Sequence, residues 1–137
     1  MTEAVILLDT CAAMFLVAGE PMTEAARRAI DTSAAAPFYI SPITAWEVGM
    51  MAGKGRFRSP LTPQRWFESL CALPGISLCP LTAQILMQSW SLPVGLNKDP
   101  ADRIIAATAR EYGYTIMTRD RALLDYGAQG YLSVLAC

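Results

Sequence analysis

Two carboxylates three residues apart open one helix in the segment Lys98-Asp99-Pro100-Ala101-Asp102-Arg103-Ile104-Ile105-Ala106-Ala107. One turn of helix brings both to the same end of the same face. Pro100 suits the first helical position, where its missing N–H costs nothing. Asp99 then reads as a cap or a site residue, and Asp102 borders an apolar run that must be buried. Three further acids could meet them. Asp9 directly follows the apolar run 4–8, and Asp120 comes three residues after the run 114–117. Glu47 interrupts the almost wholly apolar stretch 43–51, where Ile43, Glu47, Met50 and Met51 follow the stripe of one helix face. A charge in such a stripe is costly unless partnered. Lys54 or Arg56 would supply a salt bridge; a cation would supply a site. Asp9, Asp99 and Asp120 each also have a plain alternative as an N-cap, and Asp102 is favoured by the helix dipole alone.

Taken together the acids point to a metal. Two bare carboxylates about 4 Å apart repel by roughly 1 kcal/mol in water and roughly 4 at a surface-like dielectric. Four in one cleft need a cation, and hard divalent ions prefer oxygen ligands. The chain has no histidine, which excludes His-ligated metals, Ser-His-Asp and Cys-His nucleophiles and imidazole acid–base catalysis. An oxygen-only donor set favours Mg²⁺ or Mn²⁺. Such a centre performs metal-assisted hydrolysis of phosphodiesters, activating water and stabilising charge on the phosphate.

The elements that would position these acids alternate. Strands are predicted over 4–8, 38–40, 76–78 and 114–117, with a fifth over 131–135. Helices are predicted over 11–17, 23–35, 42–52, 62–73, 82–90 and 101–112, and a short helix or loop over 121–126. Ala26, Ile30 and Ala34 share a face of the second, which Pro37 ends; Ser41 caps the third and Gly113 closes the sixth. The stretch 53–60 is a basic loop. Strands alternating with helices imply a parallel sheet covered on both faces. Ligands then sit at the carboxyl ends of the strands, where Asp9 and Asp120 fall.

Composition agrees with one domain over residues 1–137, with no repeat or linker. Apolar residues make up 53% and charged residues 17%, and the mean hydropathy is +0.31. No apolar run reaches the roughly 18 residues of a membrane span, and Met1-Thr2-Glu3 lacks a signal peptide's basic start. A cytoplasmic protein is expected, whose apolar excess lies in a dense core or meets a partner. The net charge of −1 gives no global attraction to nucleic acid, which would need a local patch. Cys11, Cys71, Cys79 and Cys137 have no C-x-x-C spacing, so buried free thiols are expected.

In order and spacing these pieces resemble the PIN domain family, and most closely its VapC-type ribonuclease toxins of toxin–antitoxin pairs. The resemblance rests on Leu7-Leu8-Asp9-Thr10, on Ser41-Pro42-Ile43-Thr44-Ala45-Trp46-Glu47-Val48 with Lys54-Gly55-Arg56 after it, on Asp99-Pro100-Ala101-Asp102-Arg103, and on Thr118-Arg119-Asp120. It implies a three-layer α/β/α fold around a parallel sheet of four or five short strands, and a Mg²⁺- or Mn²⁺-dependent endoribonuclease. By position Asp9, Glu47, Asp102 and Asp120 match the acidic quartet. Asp99, Thr10 and Thr118 match accessory positions, and Asp125 is a weaker candidate for the fourth acid. Lys98 stands where many relatives carry histidine. The resemblance also implies a homodimer and a cognate antitoxin covering the cleft. Lys54, Arg56, Arg58, Arg103, Arg119 and Arg121 are candidates for RNA phosphate contacts, or else ordinary surface charges. Two rival readings are an Asp-dependent phosphatase, whose Asp-x-Asp pattern is broken by Cys11, and a catalytically silent binding module on the same fold.

Overall fold

The computed structural model describes residues 4–32 and 38–137. Five short strands form one parallel sheet in the order β3-β2-β1-β4-β5: β1 is Ile6–Leu8, β2 Phe38–Ile40, β3 Ile76–Leu78, β4 Thr115–Thr118 and β5 Ser133–Ala136. The helices are α1 (Thr10–Ala18), α2 (Glu24–Thr32), α3 (Pro42–Gly53), α4 (Pro63–Cys71), α5 (Ala83–Gln88), α6 (Pro100–Tyr112) and α7 (Arg121–Ala128). The expected parallel α/β architecture is the one observed.

The inner strands β1 and β2 are apolar throughout because both faces are covered, while the edge strands β3 and β5 carry serines and are partly exposed. On one face Ile6, Leu8, Phe38, Ile40 and Met117 pack with Ala12 and Ala13 of α1, Ala26 of α2, Val48 of α3, and Trp66 and Leu70 of α4. On the other, Leu7 and Ile116 pack with Ile105 and Ala109 of α6 and with Leu123 and Tyr126 of α7. The alternation along each strand thus assigns helices to the two outer layers. Chain order reverses at β1: β2 pairs on one side of it and β4 on the other. The crevice between β1 and β4 is the switch point where such sheets bind ligands.

Several boundaries differ from the sequence expectation. The first strand starts at Ile6, although Val5 still accepts a hydrogen bond from the Thr115 N–H at 2.8 Å. The fourth strand runs one residue further, because Thr118 pairs with Ala136 on β5. Asp120 therefore lies two residues after its strand, not three. The segment after it is a helix to Ala128, and the fifth strand begins at Ser133. The expected end of the second helix toward Ala35, with Ala34 and Pro37, lies outside the described residues. The stripe on α3 is broken: Ile43 is buried but Met50 faces solvent. The reason is that α3 straddles the sheet, with Ile43 in one apolar layer and Val48 in the other. The thiols divide as well, with Cys79 and Cys137 buried, Cys71 half-buried and Cys11 exposed. The apolar excess is partly at the surface, where Trp46, Met87, Trp90 and Val94 are all more than half exposed. Among the described residues no helix is long and apolar enough to cross a membrane.

Candidate active site

Parallel strands end on one edge, and four helices start there. Asp9 leaves β1 and caps α1, its Oδ1 accepting the Ala12 N–H at 2.7 Å. Asp120 leaves β4 and caps α7 through the Leu123 N–H at 3.0 Å. Asp99 caps α6, accepting from the N–H groups of Ala101 and Asp102. Asp102 sits in the first turn of α6. Glu47 comes from the second turn of α3, which Ser41 and Pro42 start directly after β2. The capping alternatives for Asp9, Asp99 and Asp120 are therefore all realised. The salt-bridge alternative for Glu47 is not: among the described residues it has no ion pair, and Lys54 and Arg56 are exposed.

The carboxylates nonetheless feel one another. Burial pushes the Asp9 carboxyl up, and the Asp120 charge adds to that, while bonds from Thr118 and the Ala12 N–H oppose it. Burial also raises Glu47, with Asp99 and Asp9 adding to it and Thr10 opposing. Asp102 moves furthest, to about 7: burial is the main cause, reinforced by Asp120, Asp99 and Glu47 and opposed by Asn97. The exposed Cys11 thiol rises to about 11, through its own desolvation and then the charges of Asp9, Glu47, Asp120 and Asp102. One thiol thus registers all four acids around it.

Hydroxyls and an amide hold these acids in place. The Thr118 hydroxyl donates to Asp9 Oδ2. Thr10 donates to Glu47 Oε1 at 2.5 Å, and its oxygen lies 2.9 Å from the hydroxyl of buried Thr44. Because the Thr10 proton points at Glu47, Thr44 must donate to Thr10. Asn97 donates to Asp102 Oδ2 at 3.2 Å. Sequence reasoning missed Thr44 and Asn97. Their signals were a polar residue three before Glu47 in an apolar helix, and an amide two before the Asp-Pro start. Glu47 Oε2, Asp102 Oδ1 and Asp120 Oδ1 have no partner among the described residues.

As they stand, no three His, Cys, Asp or Glu side chains among the described residues are drawn into metal-binding geometry. The physical reason is that Asp9, Asp99 and Asp120 are turned back onto helix N–H groups and repel one another. The chemistry of the donors still suits a hard divalent ion: carboxylate and hydroxyl oxygens with three oxygens unengaged.

The basic candidates separate. Lys54, Arg56 and Arg58 are exposed on the loop after α3. Arg121 is exposed and lies 3.9 Å from Asp125 one turn along α7. Arg119 donates to the carbonyls of Cys137 and Pro21 and lies 4.0 Å from the Phe15 ring centroid. Arg103 is likewise tied to backbone carbonyls.

A family model described as PIN domain matches residues 6–129. The chain is 30% identical over 123 residues to Ribonuclease VapC22 of Mycobacterium tuberculosis, covering 88% of this chain and 91% of that protein. Its fold is similar to VapBC2 from Rickettsia felis, solved bound to a promoter DNA fragment, with a TM-score of 0.69 at 15% identity over 96% of this chain and 98% of that one. It is also similar to VapC20 of Mycobacterium tuberculosis, described as a sarcin-ricin loop cleaving toxin, with a TM-score of 0.60 at 18% identity over 94% of this chain and 98% of that one. At those identities the two solved structures speak for the fold alone.

Proposed function

From the premise that the chain belongs to the PIN domain family and to its VapC-type branch, we propose that it is a Mg²⁺- or Mn²⁺-dependent endoribonuclease, the toxin of a toxin–antitoxin pair. The observation that carries this reading is the gathering of Asp9, Glu47, Asp102 and Asp120 at the carboxyl ends of the strands, with one oxygen each of Glu47, Asp102 and Asp120 left unengaged. Those four acids are the proposed ligands, with Asp99, Thr10 and Thr118 in support. A bound ion supplies Lewis acidity toward the phosphate and lowers the pKa of a coordinated water. Asp9 holds one geometry because both its oxygens are bonded, by Ala12 and by Thr118. Each of those oxygens keeps a second lone pair with which to meet an ion. Glu47, Asp102 and Asp120 each keep one oxygen to bind an ion or to take up a proton from attacking water. The exposed Lys54, Arg56 and Arg58 are the proposed contacts to RNA phosphates.

The remaining expectations accompany this reading as proposals. The exposed Trp46, Met87, Trp90 and Val94 provide apolar surface for a homodimer or an antitoxin. VapBC2 of Rickettsia felis carries such a partner in its solved complex. The working place of such a pair is the cytoplasm.

The test is cleavage of RNA by purified protein with Mg²⁺ or Mn²⁺, with excess chelator, and with Asp9→Asn or Asp102→Asn. Cleavage only by the metal-loaded wild type is expected. Persistent cleavage in chelator removes the metal, and full activity in either variant removes the site assignment.

A further inference from the structure

Arg103 follows a proposed metal ligand directly in sequence, yet its guanidinium turns away to the preceding loop. Its Nε donates to the Ser89 carbonyl at 2.8 Å and its Nη1 to the Asn97 carbonyl at 3.0 Å, with Leu96 a longer third partner at 3.5 Å. The group also lies 5.0 Å from the centroid of the Trp90 ring, a cation–π contact. One side chain therefore fastens both ends of the loop 89–97. Asn97 occupies the last position of that loop, and its amide is oriented without ambiguity. Oδ1 accepts the Asp99 N–H at 3.0 Å, so the NH₂ group must be the one 3.2 Å from Asp102 Oδ2.

We infer that Arg103 is a positioning residue and not a phosphate contact: it holds the backbone of Asn97, and Asn97 fixes the rotamer of Asp102. This inference rests on the metal-centre reading above. A neutral donor on Oδ2 restricts the carboxylate's rotation and leaves Oδ1 unengaged. Arg103 suits the task because its planar fork spans two carbonyls. A lysine keeps the charge and the helix, but its single ammonium cannot reproduce that fork.

The experiment is a Mn²⁺ titration of the metal-free protein, followed by electron paramagnetic resonance with no RNA present. Wild type is compared with Arg103→Lys, Asn97→Leu, the double variant and Asp102→Asn, each with a thermal unfolding control. Removing a group that orients a ligand weakens binding about 10- to 100-fold. Arg103→Lys and Asn97→Leu are each expected to fall in that range, and their double variant to be little worse than either, as residues acting through one contact are not additive. RNA binding in chelator gives the second readout. A lost phosphate contact lowers the salt slope by about one, whereas a positioning role leaves it unchanged. Unaltered Mn²⁺ affinity in Arg103→Lys with a reduced salt slope overturns the inference in favour of phosphate contact. Fully additive losses overturn the link through Asn97. Asn97→Ser, on an exposed loop, repeats the test without disturbing the clamp, and unchanged affinity there is equally fatal. Wild type that binds no Mn²⁺ overturns the metal centre and the inference together. Binding that Asp102→Asn abolishes and Asn97→Leu spares overturns the inference alone.

Discussion

Replacing Asp102 by Asn probes the acid cluster without asking for turnover. Burial, with Asp120, Asp99 and Glu47 adding to it, holds this carboxyl at about 7 against an ordinary 3.8. The folded-state pKa lies above the unfolded one, so the native state binds more protons between the two. Stability is therefore highest at low pH within that window and falls as pH rises toward and through 7. The full difference corresponds to roughly 4 kcal/mol at about 1.36 kcal/mol per pH unit. Asp102 is only half-buried, and solvent screening leaves about 2 kcal/mol of that. Asn gives up a favourable charge in the first turn of α6, a loss of about 0.5 kcal/mol. The metal-free variant should then be about 1.5 kcal/mol more stable than wild type at pH 8, melting about 5 °C higher. At pH 5 the folded carboxyl is neutral but the unfolded one is still mostly ionised, so the gain should shrink to about half and vanish only below the ordinary value of 3.8. Mn²⁺ should reverse the order, since a ligand at a hundredfold over its Kd stabilises wild type by about 2.7 kcal/mol and the variant by little. Melting curves by circular dichroism at pH 5 and pH 8, in chelator and in Mn²⁺, measure all four values. A variant no more stable than wild type at pH 8 in chelator, or a gain as large at pH 5 as at pH 8, refutes the reasoning.

Two further outcomes follow from the same geometry. Ligands must be deprotonated to bind; with Asp9 and Glu47 raised and Asp102 at about 7, Mn²⁺ affinity should climb as pH rises through 7. A flat affinity profile from pH 6 to pH 8, read by paramagnetic resonance, contradicts this. In the same outer layer as α6, a Cβ on Gly127 would lie 2.4 Å from Cγ2 of Val134. Gly127→Ala should cost about 1–3 kcal/mol by overpacking, with much of it recovered by adding Val134→Ala. Urea unfolding of both variants checks the sign and the recovery.

The elements were legible where short-range chemistry decides them. Ser41-Pro42, Thr62-Pro63 and Asp99-Pro100 each pair a side-chain acceptor with a proline, and each starts a helix. Strands 38–40 and 76–78 are apolar runs bounded by turn residues, and they form as read. What failed was set by tertiary pairing. The ladder with β5 draws Thr118 into its strand, and no local signal at Thr118 announces that. Likewise α3 serves two apolar layers, so a single stripe could not describe it. The arginines show the same limit. Sequence gives the charge of Arg103 and Arg119 but not the carbonyls of Ser89, Asn97, Pro21 and Cys137 that engage them.

The acids posed the sharpest choice, because a cap and a site residue look identical in sequence. In the structure the first role does not exclude the second. A cap engages one carboxylate oxygen, as in Asp120, and leaves the other. Capping also explains how the acids can gather at all. Asp9, Asp99 and Asp120 bring the N-termini of α1, α6 and α7 to one edge of the sheet. Each N-terminus carries about half a positive charge, which offsets part of the repulsion among the carboxylates. Asp102, inside the first turn of α6 and bonded to neutral Asn97, still sits at about 7, chiefly through burial and then through the charges of Asp120, Asp99 and Glu47. The helix ends thus lower the cost of gathering these acids in the folded chain, and the like charge that remains accounts for the smaller part of the Asp102 shift.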